Sequence, residues 1–167
     1  PALRASALPF LPPLQAETDW PEFRGPLHNG HAPEADVPLT WSSRENVRWK
    51  IAVPGRAWST PVARGDRFWI TTAVMSDDRL SLEARAYRLE DGSPIWKQSV
   101  FELETPRIHQ KNSHASPSPY LVGNRLVVHF GPHGTAALDA ETGEVHWRQT
   151  GLTYSPVHGP GGSPAVG

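Results

Sequence analysis

Ala137-Leu138-Asp139-Ala140-Glu141-Thr142-Gly143-Glu144-Val145-His146-Trp147 reads as a strand, a tight turn and a second strand. The same chemistry recurs upstream. Ala86-Tyr87-Arg88-Leu89-Glu90-Asp91-Gly92-Ser93-Pro94-Ile95-Trp96 repeats it 51 residues earlier, and Glu45-Asn46-Val47-Arg48-Trp49-Lys50 keeps the outgoing arm alone. Strand–turn–strand units recurring every 40–50 residues predict a radially repeated, all-β architecture.

A second element runs in phase with the first. Thr60-Pro61-Val62-Ala63-Arg64-Gly65-Asp66-Arg67-Phe68-Trp69-Ile70 aligns with Ser118-Pro119-Tyr120-Leu121-Val122-Gly123-Asn124-Arg125-Leu126-Val127-Val128. Each reads as a short strand, a Gly-Asp or Gly-Asn hairpin turn and an apolar strand. Gly162-Ser163-Pro164-Ala165-Val166-Gly167 restarts the pattern. One unit is therefore four antiparallel strands. The first sheet is expected over 59–62, 67–72, 83–89 and 95–100, and the second over 116–121, 125–130, 135–139 and 145–149.

These residues resemble the PQQ-like β-propeller repeat of quinoproteins, whose hallmark is Ala-x-Asp-x-x-Thr-Gly-x-x-x-Trp. Ala137, Asp139, Thr142, Gly143 and Trp147 match every position, and the upstream copy keeps Ala86, Gly92 and Trp96 but has Arg88 and Asp91 for the Asp and Thr. The opening Asp19-Trp20-Pro21-Glu22-Phe23-Arg24-Gly25-Pro26 is similar to the start of secreted bacterial members. The resemblance implies two four-stranded blades, an N-terminal closing strand within 46–53 and the start of a third blade, an N-terminal fragment of a propeller of 4–8 blades. It also implies that the Trp of one blade packs on the Gly turn of its neighbour, so Trp49, Trp96 and Trp147 are expected as buried docking residues. Gly143 is expected at positive φ, where a residue without Cβ is needed.

Composition narrows the function classes. Lys and Arg total 16 against 17 Asp and Glu, and they are scattered, which argues against a nucleic-acid surface. With no cysteine there are no disulfides and no thiolate metal sites. Residues 1–16 read as a secretory leader remnant cleaved after Ala16, or as a Pro-rich disordered tail; 17–45 form an N-terminal extension and 46–167 the repeats. The leader and the resemblance together predict a periplasmic or secreted protein. The leader is too short and too broken by proline to span a membrane.

Candidate chemistry gathers between the units. Pro106-Arg107-Ile108-His109-Gln110-Lys111-Asn112-Ser113-His114-Ala115-Ser116-Pro117 is dense in donors and acceptors, and the resemblance places it at one mouth of the central channel. His109, Asn112, Ser113 and, from the next connection, His158 are the candidate ligand or partner contacts; Asn112 and Ser113 equally suit capping their own loop. The pairs His28/His31 and His129/His133 lack the third and fourth ligands that zinc needs, so no metal site is assigned. The favoured reading is an exported, non-catalytic binding or scaffold module with a protein or extracellular ligand and no cofactor. Two alternatives stand. One is a quinone-dependent alcohol or sugar dehydrogenase using pyrroloquinoline quinone and calcium, for which no vicinal cysteines and no acidic cluster are visible. The other is a polysaccharide-binding propeller using rim aromatics such as Trp58, Trp69 or Tyr154.

Overall fold

The computed structural model describes residues 19–32, 37–104 and 107–165. The expected leader at 1–16 lies outside them. Two four-stranded antiparallel sheets form the framework of the described chain. The first runs β1 (Val62–Arg64), β2 (Arg67–Ser76), β3 (Arg79–Arg88), β4 (Pro94–Glu104); the second runs β5 (Tyr120–Val122), β6 (Arg125–His129), β7 (Thr135–Asp139), β8 (Val145–Gln149). Strand order follows chain order in both, so each sheet is a meander closed by short turns. A single 3-10 turn, Gly131–His133, is the helical content of the described residues. This is the expected partial β-propeller.

Period-two alternation decides what the sheets bury. Leu82, Ala84 and Ala86 of β3 face Leu121, Leu126, Val128, Ala136 and Leu138 of the second sheet in one continuous core. Phe101 and Phe130 meet edge to face at 6.0 Å within it. On the opposite face of the first sheet, Trp49, Phe68 and Tyr87 stack in a row, with centroids 5.7 and 5.2 Å apart.

The glycine turns carry the contact between repeats. Gly92 and Gly143 hold φ of +72° and +78°, a region that residues with a Cβ avoid. The ring of Trp49 lies on Gly92 and that of Trp96 on Gly143, where an added Cβ would sit 2.9 and 2.8 Å from ring carbons. Each indole also donates Nε1–H to the carbonyl three residues before its glycine: Trp49 to Leu89 at 3.0 Å and Trp96 to Ala140 at 3.1 Å. Asp139 shapes its turn by accepting from the Glu141 and Thr142 amides at 2.9 and 2.8 Å.

Several expectations need correction. Trp147 is 42% exposed rather than buried, because the docking runs forward: each Trp seats on the turn of the following unit, and the described residues include no third turn. Residues 46–53 form no ladder, so the closing strand is absent there; Trp49 still seats on Gly92, but it and Trp96 are part-buried rather than buried. Gly162–Ala165 likewise carry no strand, and the third unit is represented by a hydrogen bond from the Ser118 amide to Ser163 Oγ at 2.9 Å. The inner strands begin late, at Val62 and Tyr120, because Pro61, Pro117 and Pro119 have no N–H to give a ladder. In the first sheet β2 continues to Ser76 and β3 begins at Arg79, well past the expected ends.

Candidate functional site

The long β2–β3 hairpin rises beside the connection that leads from β4 to β5. Beyond Thr71 the second sheet offers only the 3-10 turn, so the extra residues of the first form a wall. Ala73, Val74, Met75 and Leu80 supply its aliphatic side, and Ile108, Asn112, Ser113 and His114 face them from the connection. Gly55 and Arg56 complete a cleft of about 360 Å³. Arg56 is fixed there by exchanging backbone hydrogen bonds with Ala73 at 2.9 and 3.1 Å. Met75 is 53% exposed at the mouth of the cleft, a large apolar side chain left open to solvent.

The structure brings together all four candidate rim residues. His109 and His158 meet edge to face with ring centroids 5.1 Å apart. Asn112 donates Nδ2–H to the His158 carbonyl at 2.7 Å and to the Pro160 carbonyl at 3.2 Å, tying the two connections into one rim. Its Oδ1 accepts from the Ser113 amide at 2.8 Å and from Ser116 Oγ at 2.5 Å. Ser113 Oγ donates to the Arg56 carbonyl at 2.8 Å, and the Arg56 guanidinium donates to the Gln110 carbonyl at 2.9 Å. Asn112 and Ser113 thus spend their hydrogen bonds on the shape of the rim, while the two exposed imidazoles and the aliphatic wall face outward.

Sequence reasoning missed three participants. His114 is buried and its Nδ1 lies 3.1 Å from His133 Nε2. Burial, with His114 as a second cause, holds the His133 imidazole below its ordinary pKa, and burial alone does the same for His129. Arg56 and Met75 were also overlooked. The signal for Met75 was available: Arg79-Leu80-Ser81-Leu82 alternates and Asp77-Asp78 is a turn pair. Of the rim aromatics considered for sugar binding, Trp69 is fully buried with its Nε1–H on the Ala140 carbonyl at 3.0 Å, whereas Trp58 and Tyr154 are exposed.

Charge is uneven around the cleft. Arg56 is the charged residue in its lining, and Arg107 and Lys111 lie on the connection from β4 to β5. Asp77, Asp78 and Glu102 collect at the hairpin tip around a separate depression of about 470 Å³. No carboxylate lines the cleft, and the Asn112 amide and Ser113 hydroxyl are already engaged with the next connection and the Arg56 backbone. Such a donor set does not fit pyrroloquinoline quinone with calcium, a cation that takes carboxylate and carbonyl oxygens.

Residues 40–153 match the family described as outer membrane protein assembly factor BamB. No curated protein matches the chain. Among solved structures, BamB from Moraxella catarrhalis is similar at 11% identity and a TM-score of 0.30, over 61% of this chain and 37% of that one. A europium-containing methanol dehydrogenase is similar at 11% identity and a TM-score of 0.30, over 62% of this chain and 30% of that one. The chain thus spans well under half the length of either.

Proposed function

This chain belongs to the PQQ-like repeat family described as outer membrane protein assembly factor BamB, and from that premise we propose that it is a non-catalytic binding module, periplasmic or secreted, that holds a protein partner at the rim cleft. The observation that carries the reading is the make-up of the cleft. Its walls are aliphatic, and its Asn112 amide and Ser113 hydroxyl are already engaged, so what it offers an occupant is apolar contact beside the Arg56 charge. Such a surface is suited to gripping a side chain, with the unbranched, polarisable Met75 adapting to its shape. Among the described residues no helix is long and apolar enough to cross a membrane.

The occupant that complements this cleft is a segment with an aliphatic residue next to an acidic one. Its side chain enters between Met75, Leu80 and Ile108, and its carboxylate faces Arg56. Arrayed peptides test this: aliphatic decapeptides flanked by Asp or Glu are compared with the same peptides carrying Lys instead. Retention of the acidic set, lost in a folded Met75→Asp variant, is expected. Equal retention of both sets, or indifference to Met75→Asp, overturns the reading. Dye reduction with an alcohol or sugar after addition of pyrroloquinoline quinone and calcium would replace it with the dehydrogenase.

A further inference from the structure

The opening motif Asp19-Trp20-Pro21-Glu22-Phe23-Arg24-Gly25 takes no part in the rim cleft. It lies along β1 and β5, the edge strands on one side of both sheets. Trp20 exchanges two backbone hydrogen bonds with Ala63, each 2.8 Å, as a neighbouring strand would. One residue on, the Pro21 carbonyl accepts from the Leu121 amide at 2.8 Å, so a single short segment bridges both sheets. The opposite edges, β4 and β8, are joined separately by Arg148 Nε–H donating to the Val100 carbonyl at 2.8 Å. In a propeller the blades converge on a central channel. The edges that share one segment are the converging ones.

The contact is specific as well as close. Asp19 is buried and accepts the Gly65 amide at 2.9 Å. With Glu141 it supplies the negative charge facing Arg64, whose guanidinium burial makes less basic. Arg64 donates Nη1–H to the Gly123 carbonyl at 2.6 Å, which draws the two inner turns together. Beyond Pro21 the segment folds onto itself. The ring of Trp20 covers Gly25, where a Cβ would lie 2.7 Å from it, and the Gly30 amide donates to the Arg24 carbonyl at 2.9 Å. His28 Nδ1 lies 2.7 Å from the Glu22 carboxylate.

We propose that the inner edges of the first two blades form a peptide-binding site for an extended strand, and that Asp19–Gly30 fills it in cis as a separable plug of the axial opening. Unpaired strand edges recruit other chains by backbone hydrogen bonding. A segment that bridges to one edge, accepts a hydrogen bond from the other and is locked by its own Trp-on-Gly contact covers that hazard. The remaining space there is a depression of about 290 Å³ between Glu22, Phe23 and Arg24 on the plug and Ser116, Ser118 and Ser163 on the blades.

Hydrogen–deuterium exchange on the whole chain tests the plug, with Gly25→Val to dislodge it, since a side chain there collides with Trp20 and φ is +73°. The amides of Ala63, Gly65 and Leu121 should exchange about tenfold faster or more in the variant, while those of Trp69 and Val128 keep their rates. Asp19→Ala, which removes the acceptor oxygen, should release Gly65 and leave Leu121 protected. A fluorescein-labelled peptide of residues 17–31 should bind the Gly25→Val protein and not the wild type. Unchanged exchange at the three amides overturns the proposal. So does acceleration spread evenly over both sheets, which would make the segment inseparable from the fold. Peptide binding to both proteins, or to neither, overturns the site.

Discussion

The ring of Trp96 occupies the space that a side chain on Gly143 would need: a Cβ there would lie 2.8 Å from Cδ2 and Cε3 of the indole. Trp49 bears the same relation to Gly92, and both indoles hold the carbonyl three residues before the glycine. Steric fit and hydrogen bond thus fix one register between successive repeats, with the ring supplying apolar contact and the N–H supplying direction. The Arg67 guanidinium paired with the Glu141 carboxylate adds a charge contact across the same junction.

Trp96→Ala should therefore cost about 3 kcal/mol or more in a urea unfolding curve, since it opens a cavity between the sheets. Trp147→Ala should cost under about 1 kcal/mol in this chain, because the ring is 42% exposed. Equal losses for the two would contradict the forward docking direction.

Ser118→Ala removes the acceptor of the Thr60 amide, a contact of 2.8 Å between the segments that lead into the inner strands. An amide left without a partner at that part-buried junction costs roughly 1–3 kcal/mol. Ser118→Thr keeps a hydroxyl acceptor for the Thr60 amide and should avoid most of that loss. Melting temperatures of the three proteins side by side decide it.

Acid should loosen the histidine pair. Burial depresses the pKa of His133 and of His129 in the folded state, so the unfolded chain binds more protons. The stability these neutral rings contribute is present above the unfolded value of about 6.5 and lost as pH falls below it towards their folded values. The melting temperature should accordingly decline between about pH 7 and pH 5, and His133→Phe should flatten part of that slope. A variant as acid-sensitive as the wild type would remove His133 from the explanation.

Pyrroloquinoline quinone, with or without calcium, should not bind this chain stoichiometrically in a micromolar fluorescence titration. The Asn112 amide and Ser113 hydroxyl are already engaged, Trp20 bridges to β1 and the Pro21 carbonyl accepts from Leu121 of β5. Saturable one-to-one uptake would instead favour the dehydrogenase reading.

The repeat made the sheets legible because its marks are local. Gly65, Gly92, Gly123 and Gly143 sit at turns whose chemistry is set within four residues, and β7 and β8 fall on their expected bounds. What stayed hidden depends on partners far along the chain. Nothing local tells Trp147 from Trp96; one has a following turn to dock on and the other has none among the described residues. The rim cluster was legible as a dense run of polar residues, but its aliphatic wall was not, since the sheet repeat was applied at one length to two hairpins of different reach. Trp69 shows the same limit: its fully buried place comes from the Ala140 carbonyl of the second sheet.

The serine contacts impose an order in time. The Thr60 amide waits for a hydroxyl 58 residues later, and the Ser118 amide for one 45 residues later still. Trp49 and Trp96 wait in the same sense, for carbonyls 40 and 44 residues downstream. A ribosome delivering about 5–20 residues per second leaves each repeat several seconds with an unanswered donor and a bare indole before its successor emerges. Zipping from the amino end, each repeat made whole by the next one to be synthesised, is the order these contacts favour.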